Sequence, residues 1–250
     1  VKIEAFILCY LEADIIGYCV RHYASFCDRV KVIDLGSNDG SQETAKREGA
    51  EIIQDDCAGI FDDRKNQNLK NTCWHGTDAD WVIVADADEL IFFPHGSFST
   101  LAAYDAQDLP IIKTHGFEMF SDAYPTTDRQ IYDEVKEGAP DDQWYGKKCL
   151  FSPKRVKSIS FTMGAHSVWE AFLHNGQRVT DPARFPEPPC WLLHFHHLGG
   201  LDRVARRYDE NYKRQCENNH RHKFGNQQKG IIHANEKRSM ILSKLRRVIP

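Results

Sequence analysis

No apolar run in this 250-residue chain approaches the roughly 20 residues of a membrane-spanning helix. Positive charge is not in excess either. Lys and Arg number 32 against 36 Asp and Glu, a formal net charge of -4, so nothing points globally to nucleic acid. None of the eight cysteines forms a CxxC pair, which argues against a zinc ribbon or a dithiol redox motif. Several lie inside apolar stretches (ILCY, GYCV, KKCL), where a free thiol acts as a small hydrophobe. A reducing, cytoplasmic setting is the simplest expectation, and a disulfide framework the weaker one. Internal repeats and low-complexity tracts are missing. The first residues, VKIEAFILCY, show neither a basic leader with a cleavage site nor an initiating Met, so a fragment or a processed chain is expected.

What is present is a large apolar share, 41% of residues, enough to bury a sizeable core. The first half alternates strand and helix signals. Strands are expected at 2–10, 30–35, 50–54 and 80–86, and helices at 13–27, 42–49 and 62–76. Asp39 or Ser41 is placed to cap the second helix, which stops at Gly49. This alternation predicts βαβ units and a parallel sheet. In such sheets ligands bind beyond the carboxyl ends of the strands. Each of those ends carries acids here: Glu12, then Asp34 and Asp39, then Asp55 and Asp56, then Asp86, Asp88 and Glu89.

The second half has another texture. Strands are expected at 109–120, 146–153, 157–170 and 190–200, with a turn at His174–Asn175–Gly176. A basic helical segment follows from Leu201, then a polar stretch at 224–230 and a last helix over 234–249. The composition shift near residue 200 marks a helical extension of the same domain.

Residues 81–93, WVIVADADELIFF, set three acids between apolar runs. In extended chain Asp86 and Asp88 point one way and Glu89 the other. Hard cations prefer carboxylate oxygens and leave positions open for phosphate. A D-x-D strand end is therefore suited to joining protein and diphosphate through one metal.

WVIVADADEL resembles the W-hydrophobic-DxDE segment of family 2-like glycosyltransferases of GT-A fold. DLGSNDGSQET (34–44) resembles that group's turn after the second strand. CYLEAD (9–14) resembles its turn after the first, with Leu11 where Asn is usual. The resemblance covers roughly residues 3–93, with the three motifs in order. It implies an α/β GT-A domain over 1–200: a nucleotide-binding half (1–93), an acceptor half of mixed strands (94–200) and the helical extension 201–250. It further implies an enzyme that moves a sugar from a nucleoside-diphosphate donor, UDP- or GDP-linked, to a carbohydrate or other hydroxyl acceptor. Inversion and dependence on Mn2+ or Mg2+ belong to that expectation. By position, Asp34 is expected by the nucleobase, Tyr10 and Glu12 beside the nucleotide, Asp86 at the ribose or the metal shell, and Asp88 on the metal. Arg64 and Lys65 open the third helix near the donor side.

LLHFHHLGG supplies late histidines. His194 and His196 share one strand face, and His197 takes the other. His194 is the first choice to complete the metal site, as such enzymes often supply a late histidine, and His196 the second; two structural histidines are the alternative. His166, near Gly164, is placed either to line the acceptor side or to pack a strand against its turn. An inverting transfer needs a general base, for which Asp141, Asp142 and Glu170 are candidates, Asp142 the first and Glu170 the second. Trp144 and Tyr145 nearby offer faces on which sugar rings stack. The basic run at 203–223 suits anionic phosphates, peripheral membrane contact or an acidic partner, but its interleaved acids Asp209, Glu210 and Glu217 favour a solvated amphipathic helix.

Two other functions compete. One is a non-catalytic glycan- or nucleotide-binding module of the same fold within a larger chain. The other is a nucleotidyltransferase, which carries a Gly- and basic-rich loop after the first strand. The loop here, CYLEADIIG, has no Lys or Arg, which demotes it.

Overall fold

The computed structural model describes residues 1–179, 190–222 and 230–250. Four strands follow the expected rhythm: β1 (Ile3–Cys9), β2 (Arg29–Asp34), β3 (Glu51–Gln54) and β4 (Trp81–Asp86). Between them run α1 (Ile16–Ala24), α2 (Ser41–Arg47) and α3 (Asp63–Thr72). The strands pair in parallel in the order β3-β2-β1-β4. All seven residues of β1 are buried, as a strand covered on both faces requires. Helix α1 buries Ile16, Cys19, Val20 and Tyr23, the one-face spacing of an amphipathic helix. Asp62 caps α3 by accepting from the Arg64 and Lys65 amides. At α2 the cap position is Gly40, while Asp39 accepts from Ser41 at the amide and at the hydroxyl.

After β4 the chain changes sheets. Strand β5 (Glu89–Phe92) leaves the parallel sheet and pairs antiparallel with β12 (Trp191–Leu198). Helix α4 (Ser97–Ala106) follows, then β6 (Ile111–Ile112) and β7 (His115–Ser121). The single strand expected over 109–120 is thus two, and they lie in different sheets. Strand β6 joins the parallel sheet through β9 (Leu150–Phe151), whereas β7 runs parallel to β12 in the second sheet. Strand β8 (Glu137–Pro140) pairs with β7. The strand expected over 157–170 is a pair, β10 (Val156–Phe161) and β11 (Val168–Leu173). It reverses at Gly164 and Ala165, both with positive φ (68° and 55°).

The helical run expected over 201–223 breaks into α5 (Gly200–Lys213) and α6 (Glu217–His222). Helix α7 (Gly230–Leu242) ends before the expected 249, and β13 (Arg246–Arg247) then pairs with β8. The polar stretch 224–230 lies outside the described residues apart from Gly230, which opens α7. The described architecture is α/β: a mostly parallel sheet with flanking helices, a mixed second sheet and C-terminal helices. None of the described helices is long and apolar enough to cross a membrane.

Candidate active site

The D-x-D segment is the joint between the two sheets. Asp86 ends β4, Ala87 and Asp88 turn, and Glu89 begins β5. The Ala87 amide bonds the Leu8 carbonyl in the first sheet, and the Asp88 carbonyl accepts from the Phe195 amide in the second. Asp86 and Asp88 therefore open onto the crevice between sheets. A cavity of about 230 Å³ lies there, lined by Tyr10, Glu12, Asp63, Asp86, Asp88, His194, His196, Arg207 and Arg214 among others.

Asp88, on the wall of this cavity, is where its charged groups meet. Its carboxylate Oδ2 stands 3.4 Å from His196 Nδ1, 3.6 Å from His194 Nε2 and 3.5 Å from Arg207. Burial opposes its charge, but the two histidines and Arg207 outweigh it and hold its carboxyl well below the usual range. Ligand atoms of Asp88, His194 and His196 all lie within 4.8 Å of one another. Atoms on opposite sides of one bound Mg2+ stand about 4.2 Å apart, so small side-chain movements suffice to seat a cation. His196 Nε2 is buried with no hydrogen-bond partner among the described residues. Burial, aided by Arg207, pushes this imidazole down to about 4, which leaves it neutral and able to ligate. The residues present fit a divalent ion.

Around this cluster stand three cations. Lys70 bonds Asp86 Oδ2 at 2.7 Å. Arg207 bonds Glu12 at 2.7 Å. Arg214 lies 4.1 Å over the Tyr10 ring, donates to Asn211 and has no acidic partner among the described residues. Burial raises Glu12 to about 7 against the pull of Arg207.

Several expected residues are elsewhere or differently engaged. Asp34 does not line the cavity; its Oδ2 accepts from the Gly36 and Ser37 amides and from Gln42, so it holds the turn after β2. Asp39 ties the loop after β1 by accepting from Ala13, and Asp55 pairs with Lys65. Half of the acidic sheet edge is thus loop architecture. Arg64 is exposed on the first turn of α3, outside the cavity. The cation that α3 turns inward is Lys70, which shares a face with Asp63, Asn66 and Gln67 at helical spacing. Asp86, expected at the ribose or the metal shell, lines the cavity but bonds Lys70, and His196, the second choice among the late histidines, stands in the ligand group with Asp88 and His194.

Neither Asp142 nor Glu170 lines the cavity. Asp142 accepts from the Gly116 amide at 2.8 Å and faces His115 at 2.6 Å, which fixes the loop after β8. Glu170 lies on β11 in a separate surface cavity with Trp169 and Arg178. His166 donates to the Trp144 carbonyl through Nδ1–H, and its ring packs so close to Gly164 that any Cβ there would collide at 2.5 Å. Tyr145 stacks on His194, not on open solvent (4.1 Å between centroids, 21°).

Glu89, the third acid, faces away. It is buried with Lys147 as an ion pair, and Lys147 also donates to the Gly164 carbonyl at 2.8 Å. Arg207, Lys70, Lys147 and Glu118 escaped the sequence reading. For Arg207 a signal existed: it sits in the basic run, one residue before a buried Tyr208 on the inner face of α5.

No family model matches the chain. Over 78 residues, 31% of its length, it is 31% identical to a TPR repeat-containing protein of Synechococcus elongatus, covering 18% of that protein. Among solved structures it is similar to glucosyl-3-phosphoglycerate synthase from Mycobacterium tuberculosis in complex with Mn2+, UDP and glucosyl-3-phosphoglycerate. That likeness has 18% identity and a TM-score of 0.33, over 47% of this chain and 44% of the other. Mannosyl-3-phosphoglycerate synthase from Rubrobacter xylanophilus gives 19% and 0.35, over 46% and 40%. TarS of S. aureus gives 13% and 0.37, over 61% and 28%. The chain spans about a fifth of the curated relative and less than half of each of these structures.

Proposed function

We propose that this chain is a metal-dependent glycosyltransferase of GT-A type, which moves a sugar from a nucleoside-diphosphate donor to a hydroxyl acceptor. One observation carries the reading: Asp88, His194 and His196 converge at an open cavity that also holds Lys70, Arg207 and Arg214. The resemblance of the three strand-end motifs supports it. Asp88, His194 and His196 hold the ion, with Asp86 beside them on Lys70. One acid with two imidazoles favours a Mn2+-like ion over Mg2+, which keeps to oxygen ligands. When bound, the metal stabilises the negative charge that grows on the leaving diphosphate.

The chain's own groups do the rest. Lys70, Arg207 and Arg214 offer donors to phosphate oxygens. Tyr10 and the apolar wall of Leu8, Leu35 and Ile60 take the nucleoside. Residues 1–93 form the nucleotide half and 94–200 the acceptor half, with 201–250 closing the pocket through Arg207 and Arg214. For inversion, the base is drawn from the pocket. Glu12, Asp86 and Asp88 each face a cation there. Asp63 has no ion pair with a described residue, and burial raises it to about 6, near the pH at which a base works best. Asp63→Asn is expected to slow transfer about 100-fold or more while nucleotide binding persists; equal loss of both rules Asp63 out as the base.

The test of catalysis is donor hydrolysis. Incubation with a panel of UDP- and GDP-sugars and Mn2+, without acceptor, releases free sugar slowly if the chain is a transferase. Binding of the nucleotide with no release of any sugar favours the non-catalytic module.

A further inference from the structure

We infer that Glu118 is a positioning residue for the metal centre, acting through His194. The inference rests on the metal site proposed above. Glu118 lies on β7 directly across from His194 on β12. Directly opposite residues of neighbouring strands project to the same face, so the two side chains meet. Glu118 Oε1 stands 2.8 Å from His194 Nδ1, and both groups are buried. The other ring nitrogen, Nε2, is the one that stands 3.6 Å from Asp88.

This is a geometric division of one ring. Nδ1–H donates to Glu118, so Nε2, on the edge towards Asp88, is the atom at which a cation takes the proton's place. The ring plane is fixed as well. Tyr145 stacks on it at 4.1 Å and His196 lies parallel to it at 5.7 Å, 2° from coplanar orientation. Glu118 has no other ion-pair partner among the described residues; its further contact is the Tyr145 hydroxyl, on the ring that stacks on His194. A carboxylate buried this deeply is costly unless paired. Apolar packing in the second sheet has no use for it, whereas a ligating histidine needs its second nitrogen held. A β-bulge follows immediately, since three steps along β12 from His194 to His197 match two along β7 from Glu118 to Phe120. The bulge ends the regular register just beyond the Glu118–His194 pair and turns His197 away to Tyr208.

The experiment is calorimetry of the full chain with MnCl2 alone. Glu118→Met keeps the volume but takes one partner from a buried pair and leaves the His194 Nδ1–H unmatched, so it is expected to lower the melting temperature, and thermal melts establish that it still folds before Mn2+ is read. Glu118→Gln keeps an acceptor oxygen for Nδ1–H. Mn2+ affinity is expected to fall about 10–100-fold in Glu118→Met and to recover most of the way in Glu118→Gln. In a His194→Ala background, Glu118→Met is expected to cost nothing further, because the ring through which it acts is gone. If Glu118→Met does not fold, Glu118→Asp, which withdraws the carboxylate by one methylene, is read in the same cycle and is expected to weaken Mn2+ less. Wild-type affinity in the variant that folds, or an equal loss with and without His194, overturns the inference and leaves the metal site standing. No Mn2+ binding by the wild-type chain overturns both.

Discussion

Asp88 and Glu89 are neighbours in sequence and opposites in surroundings. On the Glu89 side everything is closed. Its carboxylate is paired with Lys147, the Tyr23 hydroxyl bonds its carbonyl and the Ile91 amide, and His22 meets the Ile91 carbonyl. On the Asp88 side two histidines and an arginine surround one carboxylate at 3.4–3.6 Å, longer than good hydrogen bonds, at the edge of a cavity. One peptide step separates a finished polar network from an unfinished one. The finished side fixes where β5 leaves the first sheet. The unfinished side is what that fixed geometry presents to a ligand. Buried histidines repeat the contrast. His22, with a carbonyl and a hydroxyl for partners, is pushed by burial down to about 4. Burial also disfavours charge on His194, but Glu118 and Asp88 overcome it and raise that ring to about 9.

The largest effect should come from breaking the closed side. Lys147→Met leaves Glu89 buried without a cation and is expected to cost about 3–5 kcal/mol in urea unfolding. The Glu89→Gln/Lys147→Met double variant should recover most of that loss. If Lys147→Met is neutral, the pair is not what fixes the strand end. Acid comes next. The unfolded imidazole of His22 titrates near 6.5 and the folded one lower, so the unfolded chain takes the proton first. Stability from this residue is complete above about pH 6.5 and is lost as pH falls towards 4, about 3 kcal/mol in all. Replacing His22 by Gln should flatten the pH dependence in that window; an unchanged slope contradicts the assignment.

Tyr23→Phe removes the hydroxyl that serves two backbone groups of β5, for an expected loss of about 1–3 kcal/mol. Asp88→Asn, on the open side, removes a charge that two histidines and Arg207 meet only at 3.4–3.6 Å, and is expected to cost less than Tyr23→Phe. Equal losses in the two variants erase the distinction between the sides. The smallest effect lies in the loop after β1. Leu11 is exposed and held at φ 54°, a left-handed conformation that costs a branched residue about 1–2 kcal/mol. Leu11→Asn should stabilise the chain by about 1 kcal/mol, since Asn tolerates that region. No gain would mean that the Leu11 side chain has a use of its own.

The parallel half was legible because its signals are local. Apolar strands, helix-spaced faces and acids at the strand ends all lie within short windows. The departure of Leu11 from the expected Asn also had a physical meaning that only the backbone revealed. What escaped was pairing over distance. Glu89 finds Lys147 58 positions away, His194 finds Glu118 at 76, and Glu12 finds Arg207 at 195. No local pattern encodes those partners. The period-two spacing did show that His194 and His196 share a face, but not that Asp86 would be claimed by Lys70 from α3. Asp142 misled for a related reason. An acid beside Trp144 and Tyr145 reads as a sugar site, yet its carboxylate is used by the Gly116 amide and His115, and Tyr145 is used by His194.

Calorimetry of the wild-type chain and Asp88→Ala with UDP and with GDP, each with and without Mn2+, tests the central claim most directly. The account predicts binding of at least one nucleotide that depends on Mn2+, and its loss by about 100-fold or more in Asp88→Ala, equivalent to about 2.7 kcal/mol. Nucleotide binding that ignores both the metal and the Asp88 substitution, or no binding at all, contradicts it.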